Sequence, residues 1–587
     1  MDPISAAGIG LGVTSLSLQV FSGCIKGYQM FIEMVGMPAE FEHLRTRLRI
    51  EQSRCLLWGE KIGLVEELLD RPRGMLQMNH NLVLDMLYQM QTTFRACIDT
   101  TSAFGHVATD RNSEAQRNTT ETLTKPRSTF LRRTLAVWER SGRVAARLEW
   151  AMLKKDSFEK LVTKLVQYND RIESFLDRSA LEDLRTMQAQ HNLALLQMTD
   201  RIDQIQDLIR AMSVDRRSPA DDSDLDSLFS RVATLAEESS DAANQSVVSL
   251  AEFKRHHLSI EMNMSVGETF LISPNDMDLD GAPKCSGRQL ANIDGQKVWL
   301  EWRESVDDAF SQKTYSSTVE TRVKKLSAIL AAPDRPKAFH SPQCLGYYRS
   351  EASDKPGYAL VYKWPADTHG QNADMLSLRE LLSRMSVPPA FNTRLQIAKM
   401  LASSLLYLHA VDWIHKDVRS DSILFAADPD RTINLKEPIF SGFEFSRPAL
   451  PEEVTVSHQF SDKHDLYRHP DLLTLDAGRS KKSHDIYSLG LVLAEIALWE
   501  PVEDIVDIKV RRKELKSVRK RMLSSTVSSF LGERVGWIYA DVVRDCIEGG
   551  QALDLLPGDD EEDPETGVRL SNALHERVIQ KLESIRV

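Results

Sequence analysis

Apolar side chains recur at three- and four-residue spacing through about the first 212 residues, and only four prolines interrupt them (Pro3, Pro38, Pro72, Pro126). That period is helical. Beyond about residue 265 the texture changes. Short β-type runs appear (GETFLIS, KVWLEW, CLGYY, and YALVYKW followed by Pro365), and long apolar helical stretches follow, FNTRLQIAKMLASSLLYLHAV and DIYSLGLVLAEIALW. Strands first and helices after describe an α+β domain with a β-rich and a helical lobe. The chain therefore reads as multidomain: an all-α helical bundle over 1–212, a linker with a short helix over 213–264, and a bilobal α+β domain over 265–587. Its 587 residues are in any case too many for one hydrophobic core.

The last helical run is the clearest. Leu195, Met198, Ile202, Ile205, Ile209 and Met212 form one continuous apolar seam, which Gln188 and His191 extend upstream with polar side chains. At SVDRRSPADDSD (213–224) the pattern breaks into polar, proline-containing chain. A short helix is expected at LDSLFSRVATLAEE, then polar chain to about Met264. Lys and Arg number 73 against 85 Asp and Glu, a net charge of −12, which argues against nucleic acid as a partner. Six scattered cysteines form no metal-ligand pattern and imply a reducing compartment. Asp2 stands where a secretory signal carries positive charge, so a cytoplasmic protein is the expectation.

The strongest motif lies in the C-terminal half. LLYLH (405–409) followed by WIHKDVRSDSILF (413–425) resembles helix E and the catalytic loop of protein kinases, H-R-D-L-x-x-x-N. His415 and Asp417 match the family's His and catalytic base; Lys416 replaces the Arg. Arg419 takes the place of the Lys that touches the transferred phosphate, and Ser422 that of the metal-binding Asn. Tyr467-Arg468-His469-Pro470-Asp471 resembles the end of the activation segment, and Asp485-Ile486-Tyr487-Ser488-Leu489-Gly490 the helix F signature, whose Asp braces the catalytic loop. The resemblance implies a kinase-like fold over about 265–587.

Phosphoryl transfer is mostly positioning and charge neutralisation, and the groups for it are missing. Where the metal-binding D-F-G stands in kinases, IFSGFEFSRP offers Gly442-Phe443-Glu444. Where the third-strand Lys stands, KVWLEW offers Glu301 or Trp302, and a carboxylate there repels a triphosphate. GAPKCSG (281–287) does not fit the glycine-rich nucleotide loop. Asp417 then reads as a vestigial base that keeps the loop's shape, in a pseudokinase with no metal or cofactor of its own. The competing reading is an unconventional active Ser/Thr kinase binding ATP and Mg²⁺, with Glu444 as substitute metal ligand. The tract Gly558–Asp563 reads as a solvated acidic loop.

The N-terminal segment ISAAGIGLGVTSLSLQVFSGCIKGYQMF sets Gly8, Gly10 and Gly12 among apolar residues. Gly costs about 1 kcal/mol in a helix relative to Ala, but it permits close helix approach, as in membrane packing. Two readings stay open: a buried first helix, and a segment that inserts into membrane when released. Over 125–164, eleven Lys/Arg stand against four carboxylates. Such a face suits anionic lipid as well as plain solvent.

That opening segment, together with RLEWAMLKKDSFEKLVTKLVQYNDRIESFL (147–176), resembles the fungal HeLo domain of prion-inhibition and heterokaryon-incompatibility proteins over about 1–210. The resemblance implies a helical bundle that, once triggered, exposes its N-terminus, self-associates and permeabilises anionic membrane in programmed cell death. In the best-known members the trigger is a C-terminal amyloid segment; here a kinase-like domain stands in its place. That order is similar to the mixed-lineage kinase-like necroptosis effectors of animals. The expectation is a cytoplasmic fungal signalling and cell-death effector, reaching the plasma membrane on activation, whose degraded kinase-like half answers an upstream signalling protein. A signalling scaffold without membrane activity is the remaining alternative.

Overall fold

The computed structural model describes residues 3–64, 74–102, 150, 153, 155–213, 245–262, 270–281, 287–303, 312–333, 335–350, 357–365, 374–427, 433–443, 446–448, 462–473 and 479–586. Met1–Leu195 with Asp203–Val248 form one compact unit, and Leu196–Ile202 with Ser249–Val587 form a second.

The first unit is helical: α1 (Pro3–Ile32), α2 (Glu42–Ile62), α3 (Gly74–Ser102), α4 (Lys155–Glu173), α5 (Arg178–Met198, whose last turn counts with the second unit) and α6 (Ile202–Met212). Its core is aromatic at the centre. Phe31 stacks on Phe94 and Phe158 with ring centroids 5.8 and 6.2 Å apart, among Tyr28, Trp58, Leu87 and Leu165, all buried. Helix α4 shows why the period works: Phe158, Leu161, Val162, Leu165 and Ile172 are buried, while Lys155, Lys160 and Lys164 face solvent. The remainder of the basic stretch, 125–149 and Lys154, lies outside the described residues.

Two expectations are corrected. The seam from Leu195 to Met212 is not one helix. The chain leaves the helix at Thr199–Arg201, and α6 restarts with Ile205, Leu208 and Ala211 buried while Ile209 and Met212 are only half-buried. A turn resets the phase of the buried face, which a count of apolar spacings cannot register. The stretch read as polar chain up to Met264 holds a helix over 245–262, with Val247, Leu250, Phe253, Lys254, His257 and Ile260 buried. A Lys and a His inside the buried stripe disguised its period. The helix expected at 225–238 lies outside the described residues.

The second unit has two lobes. β1 (Leu271–Ile272), β2 (Met277–Leu279), β3 (Gly287–Ile293), β4 (Gln296–Arg303), β5 (Cys344–Ser350) and β6 (Gly357–Lys363) make one sheet in the order β1-β5-β6-β4-β3-β2. Only β1–β5 is a parallel pair. Asp294 and Gly295, both at positive φ (49° and 75°), close the β3–β4 hairpin in the two-residue turn that Asp-Gly favours. Helix α7 (Gln312–Leu330) connects β4 to β5. On one face of the sheet Val298, Leu300 and Trp302 join Met277, Tyr348 and Val361 in a core, which leaves Glu301 on the other.

The helical lobe follows: β7 (Asp374–Ser377), α8 (Leu378–Arg384), α9 (Phe391–Ala410), β8 (Trp413–Ile414), β9 (Ile423–Ala427), β10 (Ile439–Phe440), β11 (Arg447–Pro448) and α10 (Lys482–Leu498), then further helices to Ser584. Small sheets β10-β9-β7 and β11-β8 frame the loop between β8 and β9. A sheet lobe joined to a helical lobe around such a loop is the kinase-like architecture.

Candidate functional site: the catalytic loop and its cleft

Helix α9 delivers the chain to residues 413–422, and α10 holds that loop from beneath. Asp485, buried on the first turn of α10, accepts the backbone N–H groups of His415 (2.7 Å) and Lys416 (2.9 Å) and lies 3.4 Å from His409 Nε2. Burial opposes its ionisation, but these partners hold its carboxyl below the usual range. The His415 ring stacks face to face on Phe440 at 4.2 Å and meets Phe443 edge-on. The loop is thus fixed by one carboxylate from below and by aromatic packing from the side.

Asp417 points into the cleft and is fully engaged there. Arg419 Nε donates to its carboxylate at 2.9 Å, Ser422 Oγ at 2.8 Å, and His464 Nδ1 lies 4.0 Å away. Burial resists the charge, yet Arg419 foremost, with His464, keeps the carboxyl well below the ordinary carboxylate range. A carboxylate so paired is a poor proton acceptor. Ser422 spends its hydroxyl on Asp417.

Opposite stands Glu301 of β4, 2% exposed. It accepts from the Ser441 hydroxyl, from the backbone N–H of Gly442 (3.2 Å) and from Arg288 Nε (2.8 Å). Of the two residues the sequence left open for the Lys position, Glu301 faces the cleft, whereas Trp302 bonds Gln289 inside the sheet core. Gly442 sits at φ +90°, and a Cβ there would lie 2.6 Å from Ser422 Oγ and 3.0 Å from Asp417 Oδ2. No larger side chain fits without movement.

The structure therefore gathers His415, Asp417, Arg419, Ser422, Gly442 and Asp485 around one point, and adds Glu301 and Arg288 to them. Pro470 stands elsewhere, opening the short turn Pro470–Leu473. Glu444 lies outside the described residues. Gly8, Gly10 and Gly12 lie within α1, and their surroundings fall outside the described residues.

These groups do not fit a magnesium nucleotide. Position 442 brings no carboxylate to a metal, Ser422 is committed to Asp417, and the position that should attract phosphate carries Glu301. Among the described residues one cluster has metal-type donors, His469, Asp471 and His484. Its two imidazoles stack nearly parallel, 4.8 Å apart at 15°, so their in-plane lone pairs run side by side rather than converging. Each Nδ1 also accepts a backbone N–H, from Asp471 and Lys481.

Other groups were not visible beforehand. The acidic tract is not simply solvated: Glu561 accepts from Ser483 N (2.9 Å) and Ser483 Oγ (2.5 Å) at the start of α10, and Arg569 pairs with Asp559. In the helical unit Arg54 is ringed by Glu51 (3.0 Å), Asp170 (2.7 Å) and Glu173 (3.0 Å). Beside it a cavity of mixed lining is bounded by Arg47, Glu51, Arg54, His191, Leu57 and Met212. His191 is 2% exposed, and neither ring nitrogen finds a partner among the described residues. A helical bundle and a kinase-like unit thus make up the chain, and no described helix is long and apolar enough to cross a membrane.

Comparison with known proteins agrees. Residues 8–209 match the HeLo family model, prion-inhibition and propagation, and residues 359–586 match a domain of unknown function (DUF7580). Similar to part of the chain is the leaf rust 10 disease-resistance locus receptor-like protein kinase-like 1.1 of Arabidopsis thaliana, 36% identical over 154 residues, 26% of this chain and 23% of that protein. The homologous 1.2 protein of the same plant is 28% identical over 201 residues, 32% and 28% of the two chains. The chain spans less than a third of the length of these curated relatives. It joins a HeLo domain to a kinase-like C-terminal region.

Proposed function

We propose that this protein is a signalling and cell-death effector in which a pseudokinase controls a membrane-active HeLo bundle. The observation that carries the pseudokinase half is Glu301. Its carboxylate occupies the phosphate-facing position and binds the Gly442 amide and the Ser441 hydroxyl. The cleft's strongest donors are therefore satisfied from within the protein. A phosphate group entering there meets a fixed negative charge in a low-dielectric cleft. For the bundle, the HeLo match supports self-association and action on anionic membrane, with α1 as the segment released. A trigger that shifts such a switch from 1:99 to 99:1 must favour the released state by about 5.5 kcal/mol.

Two measurements test this. Purified full-length protein is heated with and without ATP and Mg²⁺ and assayed for phosphate transfer; no Mg²⁺-dependent shift and no transfer are expected. Transfer that Asp417→Ala abolishes would establish the active-kinase reading instead. Full-length chain and residues 1–212 are then expressed inducibly in a filamentous fungus and scored for viability and dye uptake. Killing by the fragment and not by the full chain is expected. Survival with both, at matched expression and with membrane localisation checked, rejects the membrane role and favours the scaffold.

A further inference from the structure

Lys254 is 1% exposed, yet it carries a charge and sits in the buried stripe of the 245–262 helix. An ammonium group has three N–H donors and no acceptor, and here each has a partner. Nζ donates to Leu196 O at 2.8 Å and Gln197 O at 3.2 Å, and pairs with Asp412 Oδ2 at 2.8 Å. Leu196 and Gln197 belong to the last turn of α5, where the helix dipole favours a cation; Leu196 O also accepts Thr199 N at 3.3 Å. All these residues lie in the second unit.

Asp412 continues the chain of bonds. Its other oxygen accepts Lys482 Nζ at 2.7 Å, and Lys482 also donates to His409 O at 2.8 Å. Burial opposes the Asp412 charge, but Lys482 and Lys254 together bring its carboxyl down to about 2. Asp412 holds a left-handed backbone (φ +57°) immediately before β8, five residues from Asp417. Lys482 opens α10, where Asp485, three residues on, grips the His415 and Lys416 amides. Phe253 and His257 pack against Trp413, with ring centroids 6.2 and 5.6 Å away, and screen the pair from water. A line of charge-assisted bonds therefore runs from the carbonyls at 196–197 through Lys254 and Asp412 to Lys482. The backbone carries it on: Asp412 directly precedes the loop, and α10 joins Lys482 to Asp485, which holds the loop amides.

We propose that Lys254 and Asp412 are positioning residues that form a latch, through which the catalytic loop at 413–417 and the segment 196–202, the last turn of α5 and the break after it, are held or freed together. The latch deepens the proposed function, since it gives the kinase-like unit a physical handle on the chain that leads into the helical unit. It acts by removing one shared partner. A ligand or protein that draws the loop away from Asp412 leaves Lys254 short of its counter-charge, and the carbonyls at 196–197 lose their cation.

Hydrogen exchange on full-length protein tests this, because it reads coupling without requiring a membrane phenotype. In Lys254→Met, amides at 196–204 and at 411–418 should exchange at least tenfold faster, with the α10 core (486–498) unchanged. Asp412→Asn should accelerate the same two segments, and the double variant should add little to either single one. Should these variants fail to fold, Lys254→Gln, which keeps a donor for the carbonyls, removes the charge that pairs with Asp412 and leaves the Lys482 pair intact, serves instead and should again loosen both segments. Acceleration confined to the immediate surroundings of each substitution, or additive effects in the double variant, would overturn the latch. Coupled exchange in a protein whose 1–212 fragment does not kill keeps the latch and rejects the effector reading. Killing by the fragment with uncoupled exchange does the reverse.

Discussion

In the helical unit a buried cation is ringed by carboxylates; in the kinase-like cleft a buried carboxylate is ringed by donors. Arg54 holds Glu51, Asp170 and Glu173, and Asn169 adds a hydrogen bond to Glu51 at 2.7 Å. Asp417 is held by Arg419 and Ser422, and Glu301 by Arg288, Ser441 and Gly442. Both arrangements are sequestered, but they serve different ends. The Arg54 cluster ties α2 to α4, so it is a fastening between helices. The cleft carboxylates sit where a kinase arranges groups for ligands, and they are satisfied by the protein's own donors. A fastening should fail when its central charge is lost, whereas a cleft whose donors are already satisfied should not gain activity from a single substitution.

The largest effect expected is at the fastening. Arg54→Met leaves Glu173 without its counter-charge and takes from Glu51, wholly buried, one of its two, with Arg47 remaining at 2.9 Å, and should cost about 3 kcal/mol, the low end for a broken buried pair. Denaturant unfolding of the full chain followed by hydrogen exchange at the α2 and α4 amides measures it; a loss under about 1 kcal/mol would mean the cluster is no fastening.

Acid should act next. Burial pushes His191 from its ordinary 6.5 down to about 4, with Arg47 and Arg54 facing it across the cavity. The unfolded chain takes up a proton that the native unit excludes. The stability that His191 contributes is thus complete above about pH 6.5 and is lost as the pH falls toward 4, by about 3 kcal/mol at most. His191→Leu should flatten the fall in thermal midpoint over that window, and an unaltered slope would refute the assignment. His257, pushed down to about 3 by burial and then by Lys254, gives the second unit a slope of the same sign.

At the cleft, Gly442→Ala forces a side chain into a left-handed backbone and against Ser422, and should cost about 1–3 kcal/mol. Gly442→Asp, which restores the metal carboxylate of D-F-G, should yield no Mg²⁺-dependent transfer while Glu301 remains. Detectable transfer by that single variant would break the contrast between the two regions. The smallest change belongs to the acidic tract. Glu561→Gln weakens a part-exposed bond to Ser483 and should cost less than about 1 kcal/mol by thermal unfolding.

Much of this was legible in the residues. Glycine at 442 and serine at 422 are read directly as departures from the metal-binding positions of kinases, and the order of His415-Lys416-Asp417, Pro470 and Asp485 gives the kinase-like arrangement. Lys254 was not legible, because a lysine beside Arg255 and His256 reads as solvated until its partners, 57 and 58 residues earlier, are known. The break at Thr199–Arg201 hid behind a spacing that both a continuous and an interrupted helix satisfy.

By itself the sequence determined the two kinds of secondary structure, their order and which residues stand at the kinase motif positions, because periodicity and residue identity are local properties of a chain. The tertiary structure alone decided which charges meet. Glu301 reaches Ser441 across 140 residues, Arg54 reaches Glu173 across 119, and Lys254 finds Asp412. A buried charge is stable only where folding supplies its partner, and no local pattern of residues encodes that distance.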